Sequence, residues 1–433
     1  MDENYLKDQN MDLVLYFVKC AINGGIIPEE KDYDFIKNVS WEQFFKTAQM
    51  NKLIAVLYPV VKYCDEHIAT VEPSVMEKWT DETRQIIIVE LIKHEKIRKI
   101  VSEAEKRKLQ LIFFKGIVLA DLYPQFSERP GCDSDIFVYK EDAADAESFL
   151  QEMGYQKDEE DSKKQVQVYH DHRFHTIELH TCLWEDYTGK RIDILREMNL
   201  TDKKTLIHTT ACGIEITTLG YEQHLIYQLF HIIKHFSLNG VGVRYLIDIT
   251  LYVNRYFSQI DKNDFWEKIN QLGYGKFVQY FFFICTNYLG MTREILPDET
   301  IEIGQNINGF KRDLFNVGDI YDKDAGWQIM GAMEAYFTGD QEVAGSRAKR
   351  KLNMMFPSVE AMPKVYGYVH KMPVLLPIGW IHRGIKYMVK WMMHQDSFYN
   401  ASEKLDVAEH RLYMLQSLGL SEEGNNAQPK KKN

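Results

Sequence analysis

Three carboxylates and one lysine-glycine pair carry the chemistry this sequence can do. Asp133-Ser134-Asp135 leads directly into the apolar run 136–139. Residues two apart on a strand leave the same face, so both acids can share one divalent cation. Alone they would repel. A hard cation such as Mg²⁺ (or Mn²⁺) resolves that repulsion, takes a few carboxylates and fills its remaining positions with water and phosphate oxygens. Glu178, in the alternating stretch HTIELHTCLW, stands on a neighbouring predicted strand and can complete a two-metal clamp. There one ion activates an attacking hydroxyl, and the other holds a triphosphate and neutralises the departing pyrophosphate. That is the chemistry of nucleotidyl transfer.

Lys115-Gly116 follows the short apolar run 111–114 and precedes IVLADLY at helical spacing. A glycine in that turn lets backbone approach phosphate, and the helix start behind it offers free N–H groups and a partial positive charge. Lys115 can add a full charge to the same phosphates. Arg129, in the loop before the acids, can contact a nucleotide phosphate or pair with an acid to hold the loop. His180 leaves the same strand face as Glu178. An isolated Asp-x-Asp is common, as Asp322-Lys323-Asp324 shows, and Lys-Gly alone is weaker still; their order and spacing together point to a site.

The stretch FFKGIVLADLYPQFSERPGCDSDIFVY, followed by IELH, resembles the uncharacterised nucleotidyltransferase family of bacteria, a branch of the DNA polymerase β-like superfamily. The resemblance is specific over residues 111–184 and looser through HLIYQLFHIIKHFSLNGVGVRYLIDITLYV. It implies Asp133, Asp135 and Glu178 as catalytic metal ligands, and Lys115, Gly116, Arg129 and His180 around the nucleotide. It further implies an NTP donor, ATP among the candidates, and transfer of its NMP to a hydroxyl or phosphate acceptor. The acceptor stays open among small molecules, saccharides, proteins and tRNA ends. Where the wider superfamily has Gly-Gly or Gly-Ser at the turn, this chain has Lys115-Gly116-Ile117, without a hydroxyl for the phosphate.

The elements that must position these residues form an α+β protein: a small mixed β-sheet core between helical regions. Three- and four-residue apolar spacing predicts helices over 13–108. The character changes at residue 111 to strand, turn and helix. DAADAESFLQEMGY supplies another helix, and QVQVYH and HTIELHTCLW read as two strands joined near 171–174. Helical periodicity returns at 220–290 and continues toward 394. The expected division is a helical region 1–108, a core 109–218, a helical region 219–395 and a terminal helix with a disordered basic tail 396–433.

Length and composition fit this picture. At 433 residues, 45% hydrophobic and 27% charged, the chain suits two or three globular units and excludes a disordered or collagen-like one. Six widely spaced cysteines give no CxxC knuckle or dense disulfide framework. With an acidic start, MDENYLKDQNMD, that lacks the pattern of a secretory signal, they indicate reduced thiols and a cytoplasmic location. The longest uncharged stretch near the C-terminus, 372–381, is about half a membrane span. Net charge is −11, yet 345–390 holds nine Lys/Arg against one acid, which suits contact with an anionic surface.

The histidines suggest a second metal site less well. His170, His172, His175 and His180 are clustered, and His231 and His235 share a helical face, but no HExxH or other zinc pattern is present. Arg244 and Asp248, four apart on a predicted helix, read as an ordinary ion pair or as residues facing the cleft. Two other functions compete with nucleotidyl transfer. Asp-x-Asp also binds metal and sugar nucleotide in glycosyltransferases, where an apolar strand runs into the motif rather than out of it. A degenerate nucleotide-binding module would fit the Lys-Gly-Ile turn, but would have little physical reason to keep three uncompensated acids.

Overall fold

A computed structural model describes residues 3–24, 28–131, 133–159, 162, 165–172, 175–184, 190–238, 241–298, 306–315, 356–359, 362, 366–393 and 417–420. The chain forms two compact units, Met1–Ile233 with Gly242–Gly304, and Lys234–Val241 with Gln305–Asn433.

The first unit begins with helices α1 (Glu3–Ile22), α2 (Tyr33–Ile36), α3 (Trp41–Met50), α4 (Ile54–His67) and α5 (Pro73–Lys106). In α3, Trp41, Phe44, Phe45 and Ala48 recur at helical spacing and are all buried. Their stripe closes on Phe17 and Trp79, with ring centroids 5.2 Å apart for Phe17–Phe44 and 5.7 Å for Phe44–Trp79. Trp79 also donates its indole N–H to the Ile54 carbonyl at 2.9 Å, tying α5 to the start of α4. Proline at the first turn suits the start of α5, where no N–H partner is needed.

A seven-stranded mixed sheet follows, with β1 (Ile112–Phe114), β2 (Asp133–Phe137), β3 (Gln156–Asp158), β4 (Val166–His170), β5 (Thr176–His180), β6 (Ile207–Ala211) and β7 (Ile214–Thr218) in the order β3-β4-β5-β2-β1-β7-β6. Helix α6 (Gly116–Ala120) lies between β1 and β2, α7 (Ala143–Glu152) between β2 and β3, and α8 (Lys190–Glu197) between β5 and β6. The acids open β2, which keeps a parallel ladder with β5 from Asp133 onward. The β6–β7 hairpin was not expected from sequence; Cys212 (φ 50°) and Gly213 (φ 72°) make its two-residue turn with both residues left-handed, as a type I′ turn requires.

One face of the sheet is packed. Ile97, Ile100 and Ala104 of α5 and Phe149 and Leu150 of α7 meet Phe113, Ile136, Tyr169, Ile177 and Leu179. The period of two therefore sends Phe114, Asp135, Glu178 and His180 to the opposite face. Helices α9 (Tyr221–Leu238), α10 (Val243–Tyr256), α11 (Lys262–Gln271) and α12 (Gly275–Ile284) follow, as the periodicity predicts.

The second unit contains α13 (Asn306–Phe315), α14 (Gly367–Lys371) and α15 (Leu376–Met393), with Met362, Tyr366 and Val369 forming a small core. Arg347, Lys349, Arg350, Lys351 and Lys364 of the basic segment, the side chains of Lys386 and Lys390, the tail 421–433 and Asp322-Lys323-Asp324 lie outside the described residues. Among the described residues no helix is long and apolar enough to cross a membrane.

Truncating Trp79, whose side chain joins three helices, is expected to cost about 3–5 kcal/mol. Urea denaturation of Trp79→Ala checks this, and a loss below about 1 kcal/mol would contradict the packing described.

Candidate active site

Register places the acids. Phe114 of β1 pairs with Asp135 of β2, and Asp135 pairs with Glu178 of β5, so the three stand in one row across the sheet. Asp133 and His180 leave the same face two residues before Asp135 and two after Glu178. Helix α9 covers this face with His224, Tyr227 and His231, spaced three and four apart so that one helical stripe points at the strands. Tyr227 meets Phe114 edge-on at 5.1 Å.

The turn after β1 is built around Lys115 itself. Its φ of 55° and ψ of −118° lie where glycine is at ease and other residues are strained by about 1–3 kcal/mol. Gly116, in contrast, is the first residue of α6, and a Cβ there would lie in ordinary contact, 3.7 Å from the Asp133 carbonyl. Lys115 is held at both ends. Its N–H donates to His224 Nε2 at 3.0 Å. Its Nζ lies 2.6 Å from Asp135 Oδ1 and 3.2 Å from His231 Nε2, beside the Tyr227 and Phe114 rings at 5.5 and 5.8 Å.

Charge compensation decides the protonation states. Burial works against the Lys115 charge, but Asp135, with Asp133 and Glu178 behind it, outweighs burial and holds the ammonium well above its usual range. Burial likewise raises Asp135, and Lys115 and His180 more than reverse this, leaving its carboxylate below its usual range. His180 Nε2 is 3.4 Å from both Asp135 Oδ1 and Glu178 Oε2. Burial lowers His180, and the two carboxylates raise it by more. Glu178 is lowered overall because His180 outweighs burial. Asp133 is raised, first by burial and then by Asp135.

Asp135 Oδ1 and both His180 ring nitrogens are buried; the Lys115 ammonium serves that oxygen from one side, and a divalent cation would give these atoms further partners. Among the described residues Asp135, Glu178 and His180 form the group whose ligand atoms all lie within 4.8 Å of one another. This donor set fits a divalent cation. Asp133 borders it on the same strand face.

Arg129 takes the acid-pairing role of the two expected from sequence. Its Nε and Nη2 donate to the two Asp248 oxygens at 2.8 and 2.9 Å, and Nη1 donates to the Gly116 carbonyl at 3.4 Å. Tyr123 O–H donates to Asp248 Oδ1 at 2.8 Å. Arg244, one turn away on α10, donates to the Pro130 carbonyl at 2.6 Å and adds its charge to that of Arg129 in lowering Asp248. Lys93 reaches the Gly131 carbonyl, and Glu90 accepts from the Gly131 N–H at 3.1 Å. The loop before β2 is thus clamped from α5 and α10.

His175 bonds Ser134 Oγ at 2.8 Å and Tyr155 at 2.7 Å, while His170 bonds Thr176 Oγ1 at 2.9 Å. Sequence reasoning did not identify His224 or Tyr227 as parts of the site. Their only signal was a polar-aromatic stripe on an apolar helix, which reads as packing. Of the pair His231 and His235, it is His231 that bonds Lys115.

Asp248→Ala is expected to cost about 3–5 kcal/mol, since it leaves the Arg129 charge buried and uncompensated; the double replacement Arg129→Met/Asp248→Leu should recover most of that in urea denaturation. A loss under 1 kcal/mol in Asp248→Ala would contradict the clamp. Burial, reinforced by the Lys115 charge, pushes His224 down to about 3, so it stays neutral in the folded chain. Unfolded, it titrates near its ordinary value of about 6.5. Below that pH the unfolded chain binds a proton the folded chain refuses, so stability falls on acidification until about pH 3. The fall should be shallower in His224→Gln, and equal slopes in the two proteins would contradict the assignment.

No curated protein matches the chain. A search of solved structures finds the solution structure of the antibiotic-resistance factor ANT(2'')-Ia, at 13% identity and a TM-score of 0.31, covering 44% of this chain and 89% of that one. Residues 37–290, more than half of the chain, match the model of the family described as uncharacterised nucleotidyltransferase. That span takes in α5, the whole sheet, the Lys115 turn and the covering helices, and the chain belongs to the uncharacterised nucleotidyltransferase family.

Proposed function

We propose that this protein is a Mg²⁺- or Mn²⁺-dependent nucleotidyltransferase of the polymerase β-like kind, moving an NMP from an NTP to a hydroxyl or phosphate acceptor. The observation that carries this reading is the group Asp135, Glu178 and His180, whose ligand atoms all lie within 4.8 Å of one another, next to the Lys115 turn and beside Asp133. Asp135, Glu178 and His180 are the ligands assigned to the metal, with Asp133 beside them on the same strand face. A divalent ion bound there would neutralise phosphate charge and acidify the acceptor hydroxyl.

In the reaction the acceptor oxygen bonds the α-phosphorus, the bond from that phosphorus to the bridging oxygen breaks, and pyrophosphate leaves with the electron pair. Glu178 suits the proton-accepting role. It is more exposed than Asp135, with a side chain 33% exposed against 3%. Lys115 Nζ brings fixed positive charge to the triphosphate, and the Lys115-Gly116 turn supplies the backbone that approaches it. Arg129 acts by positioning, since it fixes the Gly116 carbonyl from behind. The acceptor class and a cytoplasmic setting belong to this proposal too.

Thermal melts with each of the four NTPs, with and without Mg²⁺, test it. One NTP at a hundredfold excess over its Kd should stabilise the wild type by about 2.7 kcal/mol, only with Mg²⁺, and the effect should vanish in Asp133→Asn and Asp135→Asn. Stabilisation by UDP- or GDP-sugars instead would move the assignment to a glycosyltransferase. No response to any nucleotide would indicate a module without catalysis.

A further inference from the structure

We propose that this site takes a single divalent cation, held by Asp135, Glu178 and His180, and that the Lys115 ammonium is its second, built-in cation. The inference rests on the transferase reading above and departs from the two-ion form that three carboxylates alone suggest.

The surroundings of Lys115 Nζ are those of an ammonium and not of a magnesium ion. One carboxylate oxygen lies at 2.6 Å, an imidazole nitrogen at 3.2 Å, and two aromatic rings within 6 Å. Ring faces attract an organic cation. A magnesium ion demands six ligands, mostly oxygen, and keeps several waters; the Lys115 side chain is only 13% exposed. The same Asp135 oxygen also lies 3.4 Å from His180, so it faces Lys115 on one side and the metal-binding group on the other.

Charge leads to the same count. One ammonium and one divalent ion balance Asp133, Asp135 and Glu178, with His180 neutral as a ligand. Backbone geometry adds an independent reason. A lysine in a glycine conformation persists only where its surroundings hold it there, and here His224 and Asp135 hold its two ends. The strain is the cost of delivering a positive charge from a turn where glycine would fit at rest.

Mn²⁺ binding followed by electron paramagnetic resonance tests the proposal, using the full chain alone and with the α,β-methylene analogues of the four NTPs. One Mn²⁺ per chain, or per chain and analogue, is expected, and none in Asp135→Asn. Two would overturn the inference while leaving the transferase reading intact. No Asp135-dependent Mn²⁺ at all would overturn both. Lys115→Gly, whose backbone suits the turn, should bind its single Mn²⁺ at least tenfold more tightly, because Asp135 is no longer shared. Its affinity for the analogues should fall and be restored by ethylammonium, but not by additional Mn²⁺. An unchanged Mn²⁺ affinity, or rescue by Mn²⁺, would contradict the role given to Lys115.

Discussion

Asp135 is 3% exposed and ionised on the face of a sheet, and an ion in such a place costs several kcal/mol unless it is compensated. Much of the site answers that constraint. Lys115 reaches Asp135 from the turn after β1, His180 stands beside it from β5, and Glu178 in turn leans on His180. Each partner is itself buried or half-buried, so each needs support of its own. The site is a chain of obligations that begins with one carboxylate.

The fold supplies the support in layers. Parallel pairing of β2 with β5 sets Asp135 and Glu178 opposite one another, and antiparallel pairing with β1 brings the Lys115 turn to the same edge. Helix α9 then serves two purposes with one stripe. His224 accepts the Lys115 N–H that a positive φ turns toward it, and His231 with Tyr227 encloses the ammonium. Behind the turn, Arg129 joins the Gly116 carbonyl to Asp248 on α10. Helices following the sheet therefore belong to the site as much as the strands do.

The parts legible in the sequence were those that obey a local period. Alternation along a strand put Asp133 with Asp135, and Glu178 with His180, and helical spacing gave the flanking helices. Partners separated by 109 and 116 residues, His224 and His231 toward Lys115, have no local signal, because a histidine on an apolar helix reads as packing. Nothing local shows either that the Lys115 side chain turns back to Asp135. Its left-handed backbone was also hidden, for residue preference places such a conformation on the adjacent Gly116. The β6–β7 hairpin is a different omission: Cys212-Gly213 between alternating runs carried a turn signal that the weak alternation around it obscured.

In the proposed reaction Asp135 is the meeting point of the metal, the lysine and the nucleotide. A crystal structure with Mn²⁺ and a non-hydrolysable analogue of the NTP that stabilises the protein tests that claim most directly. Anomalous scattering should show Mn²⁺ bound by Asp135 and Glu178, with the triphosphate against the Lys115 turn. Mn²⁺ bound away from Asp135, or a triphosphate elsewhere on the protein, would contradict it.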